Sequence, residues 1–317
     1  MRITSSIGFC LAVVLFSFAG LAHPGNLLYT DHPLVGKIWD MNSRSYVDEA
    51  ALFARIKTAD VLLLGETHDN PWHHDRQQQL LKIRIEPGSR PALMMEQLNA
   101  ENQQELDQAL AGSNREEMIK SVNSLIRFTD WQLYSPLLAI AVDNKLPVIA
   151  ANVSSQRLQP AIRKGYAAYD SGELKRMAVE EVWSENRQNY LLTQMGGAHC
   201  GQLRDVLRLG LTRSHRLRDA FMADSAISSI ERGIVAIVGR GHARRDVGLP
   251  IYFAARAPSA RIISIGFVEV SPGWADPKDY DTESATGESP FDVIWFSPRV
   301  ERTDPCADYG KPKEAQP

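Results

Sequence analysis

The sequence predicts an α/β fold with a mostly parallel central sheet flanked by helices and a helical insertion or lid. Three observations predict it. Apolar runs alternate with polar stretches of helical period, as a βαβ chain requires. The run Val61-Leu62-Leu63-Leu64-Gly65-Glu66 is aliphatic up to its last residue, the pattern of a strand buried on both faces. Behind it, Asn70-Pro71 pairs a helix N-cap with a residue suited to the first helical position.

The N-terminal residues stand apart from this pattern. Arg2, the apolar run Ile7 to Phe18 and the small residues Ala19-Gly20-Leu21-Ala22 make a secretory signal peptide, residues 1–22. Its apolar run is shorter than the about 20 residues a membrane helix needs. No cysteine follows the small residues to carry a lipid, so the chain is expected to be periplasmic or secreted. Residues 23–317 then suit a single α/β domain with ample core.

Strands are expected at Ala59 to Glu66, Pro91 to Leu98, Pro147 to Val153 and Gly233 to His242, with Arg261 to Val270 and Phe291 to Phe296 closing the sheet. A helix from about Pro71 to Ile85 and others between Glu101 and Lys145 connect the first three. The stretch of about 155–232 is helical by pattern and reads as a subdomain or lid. Its breaks fall near Asp170-Ser171-Gly172 and Met195 to Gly201. Its Tyr166, Tyr169, Trp183, Tyr190 and Met195 suit a core or the cover of a flat ligand. Trp274 to Pro290 reads as a surface loop, and about 305–317 as a flexible tail.

Lys and Arg number 35 against 38 Asp and Glu, a net charge of −3 with no basic footprint for nucleic acid. The dinucleotide glycine fingerprint, a phosphate loop with its lysine and a Gly-x-Ser-x-Gly elbow are all missing. In an open α/β sheet, ligands bind beyond the carboxyl ends of the strands. Four predicted strands place polar groups there: Glu66 with His68, Glu96, Asn152, and His242 in Gly239-Arg240-Gly241-His242.

Two carboxyls and two imidazoles open three chemistries. Glu66, His68, Glu96 and His242 can hold a divalent metal that activates water in a hydrolase. Glu66 as base and His242 as acid can work without one. An imidazole or phenolate can instead ligate haem iron. His73 and His74 fall on the first helix rather than the strand tip, and a solvated helix start and a part in the site are both open readings. Arg218-Asp219 reads as a local ion pair, with Arg218 also suited to a ligand carboxylate such as a haem propionate. Cys200 and Cys306 form an even pair in a compartment that permits disulfides, and a bond, free thiols or a metal-ligating Cys200 are open readings.

These motifs carry a resemblance. Gly65-Glu66-Thr67-His68-Asp69, Met95-Glu96-Gln97, Asp130-Trp131-x-x-Tyr134-x-Pro136, Ala151-Asn152-Val153, Gly196 to Gly201, Arg218-Asp219-Ala220-x-Met222-Ala223 and Gly239-x-Gly241-His242-x-Arg244-x-Asp246 occur in one order, followed by Trp295-Phe296-x-Pro298-Arg299 and Asp304-Pro305-Cys306. In this the chain resembles the ChaN-like haem-binding uptake proteins of the Tiki superfamily, which includes TraB-like and erythromycin-esterase-like proteins. The resemblance implies export, haem as cofactor with Glu66, His68, Glu96, Asn152, Arg218 and His242 about it, a role in iron uptake, a homodimer, and outer-membrane uptake machinery as partner. It also implies tyrosine ligation of haem, with Tyr134, Tyr166, Tyr169, Tyr190 and Tyr252 as the candidates. The wider superfamily implies the metal-dependent hydrolase alternative at the same residues.

Overall fold

The computed structural model describes residues 26–85, 89–126, 131–197, 200–281, 284–304 and 306–307. The expected signal peptide, most of the expected tail, and Asp130, Ala198, His199 and Pro305 of the quoted motifs lie outside them. The described strands are β1 (Leu27–Leu28), β2 (Ile38–Asp40), β3 (Ser45–Val47), β4 (Val61–Glu66), β5 (Ala92–Asn99), β6 (Val148–Asn152), β7 (Ile234–Gly239), β8 (Ile262–Glu269), β9 (Val293–Ser297) and β10 (Arg299–Val300). Eight form one sheet in the order β3-β2-β9-β8-β4-β7-β5-β6. From β9 to β6 all neighbours are parallel, while β2 runs antiparallel to both β9 and β3. β1 and β10 pair antiparallel in a small second sheet. The three N-terminal strands are absent from the sequence expectation because two or three residues are too few to show a period.

The all-aliphatic strands are central and buried on both faces, as their composition demands. Leu62, Leu64, Leu93, Met95, Val235 and Ile237 face one helical layer. It contains α1 (Glu49–Ile56), α2 (Pro71–Arg84), α3 (Gln103–Leu110), α4 (Arg115–Leu125) and α5 (Trp131–Asp143). Val61, Leu63, Ala92, Met94, Ala236 and Val238 face the other. There lie α6 (Ser155–Lys164), α7 (Ser171–Arg176), α8 (Glu185–Gly197), α9 (Asp205–Ala226) and α10 (Leu249–Arg256). Asn70 caps α2 by accepting from the Trp72 N–H, with Pro71 in the first turn.

The helical stretch 155–232 divides in two. α9 is core: Leu217, Ala220, Met222, Ala223 and Ala226 are fully buried, and the helix packs on α6 and β6. α8 lies outside α9 and borders the cavity described below. Among the described residues no helix is long and apolar enough to cross a membrane. At Gly65 a Cβ would come within 2.7 Å of the Ala243 Cβ, so only glycine lets the turn after β7 close over β4.

Cys200, just past α8, is bonded to Cys306, with Cα atoms 5.7 Å apart across a sequence separation of 106. Closing so long a loop restricts the unfolded chain by about 4.7 kcal/mol in the chain-entropy description. Cys306→Ser is therefore expected to lower the unfolding free energy by about 2–5 kcal/mol. Urea denaturation of oxidised protein and variant reads this directly, and a loss below about 1 kcal/mol would show that the crosslink constrains little.

Candidate functional site

Register decides where the strand-end groups point. Leu64 and Met95 both stand level with Ile237, so Glu66 is one residue further along the sheet than Glu96. An offset of one residue reverses the face. Glu66 accordingly joins the α2–α5 side, and Glu96 the α9 side.

Glu66 is buried and saturated. Tyr134 donates to Oε1 at 2.6 Å and Gln97 to the same oxygen at 3.2 Å, while Gln77 donates to Oε2 at 2.6 Å. His68 Nδ1 lies 2.9 Å from Oε1, and His74 Nδ1 3.5 Å from Oε2. The two histidines of the helix start are buried rather than solvated: His73 accepts from the Thr67 N–H at 2.9 Å and meets Ser297 Oγ at 2.8 Å, and His74 Nε2 meets the His68 carbonyl at 2.9 Å. Burial keeps His73 well below its ordinary pKa, so it packs as a neutral ring.

On the other face, the Gly239 N–H donates to Glu96 Oε2 at 2.6 Å. His242 Nε2 lies 3.5 Å from Glu96 Oε1, and His242 Nδ1 lies 2.5 Å from Asp219 Oδ1 on α9. Asp219 thus pairs with an imidazole, not with Arg218 as a local ion pair. His215, one helical turn before Asp219, places Nε2 3.4 Å from Asp219 Oδ2 and stacks on His242 with ring centroids 4.4 Å apart. Sequence reasoning missed His215. A His-x-x-x-Asp spacing on one helix face was the available signal, but its meaning depends on the turn that delivers His242.

His68 links the two faces at the sheet's edge. A Cβ at Gly239 would sit 3.0 Å from His68 Nε2 and 3.5 Å from Glu96 Oε2, so glycine there lets the imidazole approach. Burial works against a charge on His68, but the Glu66 hydrogen bond and the nearby Glu96 charge overcome it and raise its pKa to about 9. Burial likewise opposes charge on His242, where Asp219 and Glu96 prevail and shift it upward. Burial and the charge of His242 hold His215 well below its usual value. For Glu96, burial is outweighed by His242 and His68, which keep its carboxyl low and ionised. Asn152, at the end of the outer strand β6, turns its side-chain oxygen back to accept from the Val153 N–H at 2.8 Å.

Two cavities flank the cluster and share His215. The larger, about 640 Å³, runs from α8 to the loop around Trp274 and is lined by Tyr190, Met195, Arg240, Arg244, Trp274 and Phe291 among others. The smaller, about 340 Å³, is bounded by α6 and α9 and reaches Arg218. Glu66, Glu96 and Asn152 line neither. Of the five candidate tyrosines only Tyr190 lines the larger cavity. Tyr134 donates to Glu66, Tyr166 to the Arg213 carbonyl, Tyr169 to the Arg157 carbonyl and Tyr252 to the Arg216 carbonyl. Burial raises all four above the ordinary phenol pKa.

Fold and site together define an α/β protein with a cavity and an ionisable cluster at the carboxyl ends of parallel strands. The chain belongs to the ChaN family of haem-binding uptake proteins in the Tiki superfamily, whose family model matches residues 52–253. Its structure is similar to that of ChaN of Campylobacter jejuni, described with cofacial haem binding, at 16% identity and a TM-score of 0.65 over 81% of this chain and 95% of that one. An erythromycin esterase mutant in its open conformation aligns at 11% identity and a TM-score of 0.41 over 72% of this chain and 76% of that one, too distant to carry an argument. No curated protein matches the chain.

The raised pKa of His68 has a signed consequence. A folded value above the ordinary 6.5 means that the imidazole stabilises the fold fully below about pH 6.5 and that this contribution is lost as pH rises through about 9. The side chain is 38% exposed, so solvent screens part of the effect. Denaturation midpoints are expected to fall between about pH 6.5 and 9, with the slope flattened in His68→Gln. An NMR titration placing His68 at its ordinary value would contradict the pairing.

Proposed function

We propose that this chain is an exported haem-binding protein acting in haem or iron uptake, and that haem enters the larger cavity. The observation that carries the reading is the cavity itself, whose volume of about 640 Å³ falls within the range of small-molecule sites and whose lining has the chemistry a haem needs. Leu191, Val268, Trp274, Phe291 and Ile294 supply apolar walls. Arg240, exposed at the rim, supplies a guanidinium suited to propionate.

Bound haem supplies a ferric centre that accepts an anionic oxygen ligand. Tyr190 is the group we assign to it. The Arg244 guanidinium lies 4.8 Å from its ring centroid, a cation–π contact that holds the ring at the cavity wall. Arg244 is itself held by Asp246 through two hydrogen bonds, at 2.9 and 2.7 Å, which fixes the cation over the ring.

Glu66 has a positioning role in this reading: donors occupy both of its oxygens, which leaves it poorly suited to the base catalysis of the hydrolase alternative. Trp274, 48% exposed beside the cavity, offers an apolar surface on which a second copy could close over the ligand.

Haem titrated into purified protein is expected to give a shifted Soret band saturating near one equivalent. Tyr190→Phe should weaken binding by about tenfold or more, roughly 1.4 kcal/mol, and remove the phenolate-to-iron charge-transfer band, whereas Tyr169→Phe should leave the spectrum unchanged. No Soret shift in the wild-type protein would end the haem reading. An unchanged Tyr190→Phe spectrum would reassign the ligand.

A further inference from the structure

The cluster between the two cavities contains an unbalanced group. Asp219 is fully buried, its Oδ1 meets His242 Nδ1, and its Oδ2 has no hydrogen-bond partner. An orphaned carboxylate oxygen in the interior is costly and calls for a cation or donor. His215 Nε2 stands 3.4 Å from that oxygen, without the geometry of a hydrogen bond. Two donors bound to one tetrahedral zinc at 2.0–2.1 Å are separated by about 3.3 Å. The gap therefore matches two ligands sharing an ion. One ligating atom from each of His215, Asp219 and His242 lies within 4.8 Å of the others.

We propose that His215, Asp219 and His242 form a binding site for one zinc-class divalent cation, with an open coordination position toward the cavities that His215 lines. Two imidazoles and one carboxylate are the donor set of open zinc sites, where a fourth position is left to water or to a ligand. The surroundings fit this assignment. His215 and Asp219 are one turn apart on a rigid, buried helix. The second ring nitrogen of His242 faces Glu96, the arrangement by which a carboxylate orients a ligating imidazole. The set is distinct from the strand-end group Glu66, His68, Glu96 and His242 expected from sequence. Only His242 is common to both, since Glu66 points to the opposite face of the sheet.

Cobalt is the probe, because four-coordinate Co²⁺ is coloured and takes zinc sites. Chelator-stripped, haem-free protein is titrated with Co²⁺, and bound metal is counted after desalting. The expected result is one Co²⁺ per chain with intense visible d–d bands, displaced by Zn²⁺. His215→Gln and Asp219→Asn should each weaken binding by on the order of 100-fold or more, and His68→Gln should leave it unchanged. Anomalous diffraction from Zn²⁺-soaked wild-type crystals gives a test that does not depend on any variant folding. A peak between His215 and Asp219 supports the site, and a peak elsewhere overturns it. No retained metal, or loss in His68→Gln with retention in His215→Gln, overturns it equally. Because no haem is present, failure of the haem titration leaves this result unaffected.

Discussion

The carboxyl group of Glu66, buried at the tip of a strand with no exposed residue, is the constraint around which the site is arranged. A group of this kind is tolerated in an apolar interior only when its oxygens are fully paired. The donors that pair it come from four places: Tyr134 on α5, Gln77 on α2, Gln97 on β5 and His68 just beyond β4. Removing Gln77, whose amide donates to Oε2, leaves that oxygen without its hydrogen bond in the core, at a cost of about 1–3 kcal/mol. The same network fixes the orientation of His68, whose ring reaches past Gly239 toward Glu96 and the second cluster. One buried carboxyl thereby ties a helical layer, two strands and the edge of the sheet into a single rigid element.

The functional groups divide by depth. The Glu66 network and the Glu96–His242–Asp219 chain are interior and line neither cavity, while Tyr190, Arg240 and Trp274 meet the larger one. His215 belongs to both, stacking on His242 and lining each cavity. A ligand in the larger cavity would thus be in contact with a residue whose partners extend, through His242 and Glu96, to the sheet's edge.

Much of this was legible in the sequence, and the reasons differ by element. The parallel strands stood out because burial on both faces demands unbroken aliphatic runs, and Asn70-Pro71 announced α2 through its own local chemistry. Glu66, His68, Glu96 and His242 could be placed at strand ends for the same reason. Their faces could not, because a one-residue offset between β4 and β5 is a matter of pairing register that neither strand encodes alone. His215 and Asp219 were hidden in an ordinary helical pattern, and only the approach of the Gly239–His242 turn gives them partners. The burial of His73 was likewise invisible, since Ser297, which it meets, lies 224 residues away.

The strand order also constrains how the molecule can be made. β9, near the C-terminal side of the chain, is inserted between β2 and β8, and β10 pairs with β1. During synthesis β1 waits without its strand partner, and β2 with β3 alone, until β9 and β10 arrive. Contacts so remote along the chain form slowly. The sheet is therefore completed on its antiparallel side only when the last strands of the chain are in place.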